Sequence, residues 1–285
     1  MRCLLSCAML AALPLIAGCT VESSSDDSSN DEPTLTEDDA LGAAWQTGGN
    51  VGYGVARSDT KNPIGENVFI GYAGYQVSRS AACAWTTALY HATLRAKGVR
   101  YLYCVQGPAD PVYSQQEIGN SKIVADLKKH VSQKTHFILV AGHSSGSFVA
   151  HELLGQLADG LDPGGVTKGK VVYFDLDGGE SGLSEHVVKR LRKAYFVGAR
   201  DNGTDSPNFG TMQSAASAYG TFWENNSNGA GCKPGAIWCV HVSLITTRPH
   251  SPWGAEAIPD YSDFNGRPVA HAYIEAKASD AHLEP

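Results

Sequence analysis

The 285-residue chain has no surplus of positive charge, no paired C-x-x-C spacing, no internal repeat and no apolar run that makes a comfortable membrane span. Without a basic excess there is no electrostatic footprint for nucleic acid. Without paired cysteines the ligand pattern of a structural zinc site is missing. Without a repeat, the chain reads as one domain rather than an array. The longest apolar stretch, Leu4 to Ile16, is too short to cross a bilayer and ends in small residues, as a cleaved export signal does.

What is present sorts by segment. The chain holds 22 basic and 29 acidic residues. Thr20 to Ala40 contains eight of the acidic residues, many serines and no basic residue, so it reads as a solvated tether that cannot bury a core. Removing Arg2 and that tether leaves 21 charges of each sign from Leu41 onward. The net negative charge therefore belongs to the leash and says nothing of a substrate. Residues 41–285 are expected to form one large domain.

Cysteine usage fits export. Cys3 and Cys7 fall in the signal, which leaves Cys19 and four later cysteines. Four cysteines outside the cytoplasm pair in three ways. The local bridges Cys83–Cys104 and Cys232–Cys239 are favoured, and chain entropy gives them about 3.4 and 2.5 kcal/mol.

Apolar runs alternate with helix-period segments, the pattern of an α/β domain with a mostly parallel sheet and helices on both faces. Strands are predicted at Val68–Gly71, Val99–Val105, His136–Ala141, Lys170–Leu176, Ala194–Ala199 and Val240–Thr246. Helices are predicted through Ala82–Ala96, around Ile118–Val131, after residue 146, over Glu185–Lys193 and over Val269–Ala278. Gly203 to Gly235 reads as a glycine-, serine- and asparagine-rich connection. At the centre stands Gly142-His143-Ser144-Ser145-Gly146, between the apolar run 136–141 and a segment with Phe148, Val149, Leu153, Leu154 and Leu157 at helical spacing. Strand, glycine-flanked serine and helix make a nucleophile elbow, which lifts one hydroxyl above a parallel sheet. The bland alternative is a Gly-Ser turn between two core elements.

Two resemblances follow from these residues. Arg2, the short apolar run and Ile16-Ala17-Gly18-Cys19 resemble a bacterial lipoprotein signal, with 1–18 as signal peptide and 19–40 as tether. That implies acylation of Cys19 and an extracytoplasmic protein anchored to a membrane, the outer one in a Gram-negative cell, since Thr20 and not aspartate follows the cysteine. An ordinary secretory signal is the alternative. The order of elements around the elbow resembles the α/β-hydrolase fold across nearly the whole chain after Ala40, with no large cap domain, because only one short helix fits between Asp177 and Ala194.

The hydrolase resemblance implies a Ser, then Asp or Glu, then His order for a triad. Ser144 is the nucleophile it points to. The base is placed on His250, past the last predicted strand, with His241 inside that strand as the alternative. His143 is expected to pack or shape the elbow, and the remaining histidines, His151 among them, to lie at the surface. The acid is placed on Asp201 after the strand Ala194–Ala199, with Asp177 as the alternative and Asp175 behind it. An oxyanion hole would take the amide of Ser145 and one from the loop 71–75, that of Ala73 or of Gly74. Cys232, Cys239 and then Pro249-His250 resemble the C-terminal layout of cutinases. Those enzymes carry their acid in the disulfide loop, whereas residues 233–238 hold no carboxylate, which sends the acid back to an earlier strand.

These residues imply a secreted or membrane-anchored serine hydrolase of acyl esters, an esterase or lipase. It would need no cofactor and no metal, bind no nucleic acid and act as a monomer. Trp223, Trp238, Tyr219 and Phe222 are candidates for the acyl site or for the core. Two other readings stay open: an inactive hydrolase scaffold serving as a binding lipoprotein, and an amidase or acyltransferase using the same triad.

Overall fold

The computed structural model describes residues 45–52, 55–60, 66–92, 94–108, 119–161, 165–179, 183–226, 232–245 and Leu283. The signal, Cys19, the tether, His250 and the helix predicted at Val269–Ala278 lie outside the described residues.

The strands are β1 (Trp45–Gly52), β2 (Val55–Thr60), β3 (Asn67–Tyr72), β4 (Val99–Val105), β5 (Ile138–His143), β6 (Val171–Leu176), β7 (Lys193–Asp201), β8 (Thr204–Asp205) and β9 (Thr221–Asn226). They form one sheet in the order β1-β2-β4-β3-β5-β6-β7, with β9 parallel to β7 and β8 closing a tight hairpin on it. From β4 through β3, β5, β6, β7 and β9 every neighbour is parallel, while β1 and β2 add an antiparallel edge. The central strands read as near-continuous apolar runs because helices cover both faces.

Side chains alternate between the faces as the two-residue strand period requires. On one face Phe69, Leu102, Leu139 and Val197 meet Trp85 and Leu89 of α1 (Arg79–Ala92) and Val240 of α6 (Ile237–Val242). On the other, Ile70, Tyr103, Val140 and Phe196 share a cluster with α2 (Asn120–His130), α3 (Gly146–Asp159), the short α4 (Glu185–Val188) and α5 (Phe209–Tyr219). Cys83 of α1 is bridged to Cys104 of β4, and Cys232 to Cys239 at the start of α6. Parallel sheet, two helical layers and a strand–serine–helix turn after β5 give this chain the α/β-hydrolase fold.

Three expectations are corrected. The strand predicted at Val240–Thr246 starts in the short helix α6. Its β-branched residues suggest a strand, but Cys239, Val240, His241, Val242, Leu244 and Ile245 are all buried. A run buried all round carries no period to separate helix from strand. Among the described residues the last parallel strand is instead β9, inside the stretch taken for a connection, and α5 precedes it. There the helix period is present, at Phe209, Met212 and Ala215–Ala216, but half of it is carried by alanines, among glycine and serine. The edge strands β1 and β2, in a glycine-rich segment, have no counterpart among the predicted elements.

Candidate active site

The elbow is built from close approaches that only glycine allows. A Cβ on Gly142 would lie 2.7 Å from Cα of Ser147, and one on Gly146 would lie 2.3 Å from the carbonyl oxygen of Ala73. The first glycine lets α3 turn back against β5, and the second lets it pass the loop after β3. Between them Ser144 has a left-handed backbone, φ 53°. That conformation is costly for a residue with a Cβ and persists only where the surroundings over-determine it. Here the Ser144 amide donates to Leu176 O at 3.1 Å, and the Ser147 amide closes back on Ser144 O at 3.0 Å. Ser145, 8 % exposed, opens α3.

Asp177 occupies the equivalent place on the neighbouring strand. His143 pairs with Leu176 in the β5–β6 register, so Ser144 and Asp177 step off adjacent strand ends together. Asp177 also has a left-handed backbone, φ 53°, and its amide donates to Val197 O at 2.9 Å. Its carboxylate is fully buried and held on both oxygens. Oδ1 accepts from Ser206 Oγ at 2.7 Å, and Oδ2 lies 2.5 Å from Nδ1 of His241. The Asp177 carbonyl accepts from Asn208 Nδ2 at 2.7 Å.

His241 reaches this carboxylate from α6 and is itself buried. Its ring packs on that of His143 with centroids 4.7 Å apart, which places it beside the residue that precedes Ser144. Burial, reinforced by the nearby His241 ring, holds the His143 imidazole well below the usual histidine range; an interaction with the His241 backbone opposes this in part. His143 thus serves as a neutral packing partner. Trp238, one turn back on α6, stands edge-on to His241 at 5.6 Å.

Asp201, the acid placed first from the sequence, has a different partner. It is the last residue of β7, is paired to Thr204 in the hairpin, and its Oδ2 accepts from the Cys232 amide at 3.1 Å. Gly235 N donates to Thr204 Oγ1 at 2.9 Å. The β7–β8 hairpin therefore holds the disulfide loop that leads into α6. The histidine paired with Asp201 in the sequence reading, His250, lies outside the described residues. The pair that the structure brings together is the alternative one, Asp177 and His241. Ser206 and Asn208, which hold Asp177, carry no motif that would have found them.

Of the two oxyanion candidates after β3, the Ala73 amide is engaged, donating to Val105 O at 3.0 Å. His151, expected at the surface, is 4 % exposed and faces Asp175. Trp223, Phe222 and Tyr219 pack against the core, while Trp238 is 43 % exposed.

No protein-family model matches the sequence, and no curated protein is detectably similar to it. Solved structures of similar shape include a hormone-sensitive lipase from a metagenome library, with 12 % identity, TM-score 0.48, and 86 % of this chain and 87 % of that one covered. A sugar hydrolase from Lactococcus lactis has 13 % identity and TM-score 0.41, covering 84 % of this chain and 100 % of its own. An esterase from Pyrococcus furiosus has 13 % identity and TM-score 0.37, covering 61 % and 78 %. The fold is assigned on the sheet order and the elbow, and these likenesses bear on no residue or substrate.

Proposed function

We propose that the chain is a serine hydrolase of carboxylic esters in which Ser144 is the nucleophile, His241 the base and Asp177 the acid. The observation that carries this reading is the buried contact between Asp177 and His241, on the strand end next to a serine held at φ 53°. With its proton on Nδ1, shared with Asp177, the imidazole has Nε2 as the base for the Ser144 hydroxyl. Oγ attacks the acyl carbon, and the developing oxyanion is met by the amide of Ser145 and one from the loop after β3. The imidazolium returns its proton to the departing alcohol, leaving an acyl-enzyme. Water then repeats the sequence and releases the acid.

Asp177 supplies the carboxylate that residues 233–238 lack, which removes the main reason for reading the scaffold as inactive. Ile237 and Trp238, 40 % and 43 % exposed beside the base, offer apolar ground for an acyl chain. We further propose export and lipid anchoring through Cys19, on the sequence Ile16-Ala17-Gly18-Cys19. Globomycin treatment, which blocks lipoprotein signal cleavage, would leave a longer, uncleaved form if this is right.

The test of the activity is hydrolysis of p-nitrophenyl acetate and octanoate by the full chain in detergent, beside Ser144→Ala, His241→Ala and His250→Ala. Loss of about a thousandfold or more in kcat for the serine and His241 variants supports the assignment. Loss that follows His250 instead of His241 overturns the base. A folded parent that turns over neither ester, and whose Ser144 resists a fluorophosphonate, ends the hydrolase reading.

A further inference from the structure

The triad leaves the buried acid Asp175 unused. Asp175 sits on β6 two residues before Asp177 and has no exposed surface. Its Oδ1 accepts from Ser147 Oγ at 2.9 Å and from the Gly178 amide at 2.9 Å. Its Oδ2 is 3.4 Å from Nε2 of His151, a ring nitrogen that also lies 2.9 Å from the Tyr173 hydroxyl. Taking a carboxylate out of water costs several kcal/mol, so the arrangement has to be held by these partners.

The two donors on Oδ1 come from opposite sides of the site. Ser147 is on α3, three residues after the nucleophile, and its amide already bonds Ser144 O. Gly178 directly follows the acid. Packing leaves no slack between them. A Cβ on Gly178 would lie 2.0 Å from Ser147 Oγ and 2.6 Å from Asp175 Oδ1. Ser147 is thus wedged between Gly142 before the nucleophile and Gly178 after the acid. Ser144 and Asp177 both carry left-handed backbones, and such conformations survive only where neighbours impose them. The bonds to Asp175 land beside each of these two residues.

We propose that Asp175 is a positioning residue that ties the helix of Ser144 to the turn of Asp177 and so sets the spacing of nucleophile and acid. The inference rests on the Ser144–His241–Asp177 reading. Asp175 touches no substrate; it acts through the two backbones. A misplacement of about 1 Å at a reacting group can cost a hundredfold in rate, so the effect belongs in kcat rather than in binding.

The experiment is a double-mutant cycle on the full chain with p-nitrophenyl acetate, with kcat normalised to the serine titrated by a fluorophosphonate. Asp175→Asn and Ser147→Ala are each made in the parent and in the Asp177→Asn background. In the parent each lowers kcat by about tenfold to a hundredfold with KM nearly unchanged. In the Asp177→Asn background the further loss is less than about twofold, because the acid they position is already gone. A general structural role would cost the same factor in both backgrounds, and that result overturns the proposal. So does an unchanged kcat in both variants while Asp177→Asn alone abolishes turnover, which leaves the triad standing. Full activity in Asp177→Asn overturns the triad and this proposal together. Should Asp175→Asn not fold, Ser147→Ala, the loss of a single hydroxyl, decides the matter alone.

Discussion

Nδ1 of His241 stands 2.5 Å from Oδ2 of Asp177, an imidazole 3 % exposed on a carboxylate with no exposure at all. An amide in place of that carboxylate keeps its shape but favours the wrong imidazole tautomer. In serine triads that change costs about 10⁴ in kcat. Asp177→Asn should therefore lower kcat by about a thousandfold or more, while Asp201→Asn, whose partner is a backbone amide, should cost far less. Steady-state kinetics of the two variants side by side makes the comparison. The reverse order would return the acid to Asp201.

Much of the fold is legible in the sequence where one signal dominates. Strands β3 to β7 are buried on both faces, so each reads as an apolar run, and α1 to α3 show clear helical spacing. Ser144 is legible because its glycines answer to steric limits at fixed offsets, Gly142 against Ser147 and Gly146 against Ala73. The acid and base are harder because their roles depend on contacts between residues far apart in the chain. Asp175, Asp177 and Asp201 all follow or end apolar strands. Only the tertiary structure shows that one meets Ser147, one His241 and one the Cys232 amide. His241 was obscured further by a residue pattern that suits a strand although the segment is helical.

The proposed base, His241, follows a tied loop. Cys232 is bridged to Cys239, two residues before His241, and Asp201 holds the Cys232 amide. Replacing both cysteines by serine should cost about 2.5 kcal/mol, with a drop in Tm of roughly 5–10 °C. Asp201→Ala, which strands a buried amide, should cost about 1–3 kcal/mol. Both should lower kcat for acetate more than they raise KM, because α6 carries His241, the proposed base. Calorimetry and kinetics on the same preparations check this; unaltered kcat in both would show that α6 holds its place without the loop.

His143 gives the protein a pH signature. Its imidazole is held well below the ordinary value of 6.5 by burial first and the neighbouring His241 second. The folded chain thus binds this proton less readily than the unfolded chain does. Its contribution to stability is whole above about pH 6.5 and is lost as pH falls towards the depressed folded value, at up to about 1.4 kcal/mol per pH unit. Tm measured from pH 7.5 to 5 should fall less steeply for His143→Phe, which keeps a ring against His241 but cannot take up a proton. Parallel profiles would mean that this imidazole is not the group responsible.

Trp238 lies edge-on to His241 with its ring centroid 5.6 Å away, and 43 % of the residue is exposed. A large indole kept partly in water beside the base gains most when an apolar group covers it. An acyl chain long enough to leave the reacting carbonyl could do so, whereas an acetyl group is too short. Burying such a side chain is worth about 1.5–3 kcal/mol when complete. Partial cover by a substrate should then be worth roughly 1–2 kcal/mol, or about fivefold to thirtyfold in affinity. Trp238→Ala is expected to raise KM for p-nitrophenyl octanoate by that factor and to leave KM for the acetate within about twofold. Equal losses on both esters would mean that the indole serves His241 and not the chain. No loss on either would place the acyl group elsewhere on the sheet's carboxyl edge.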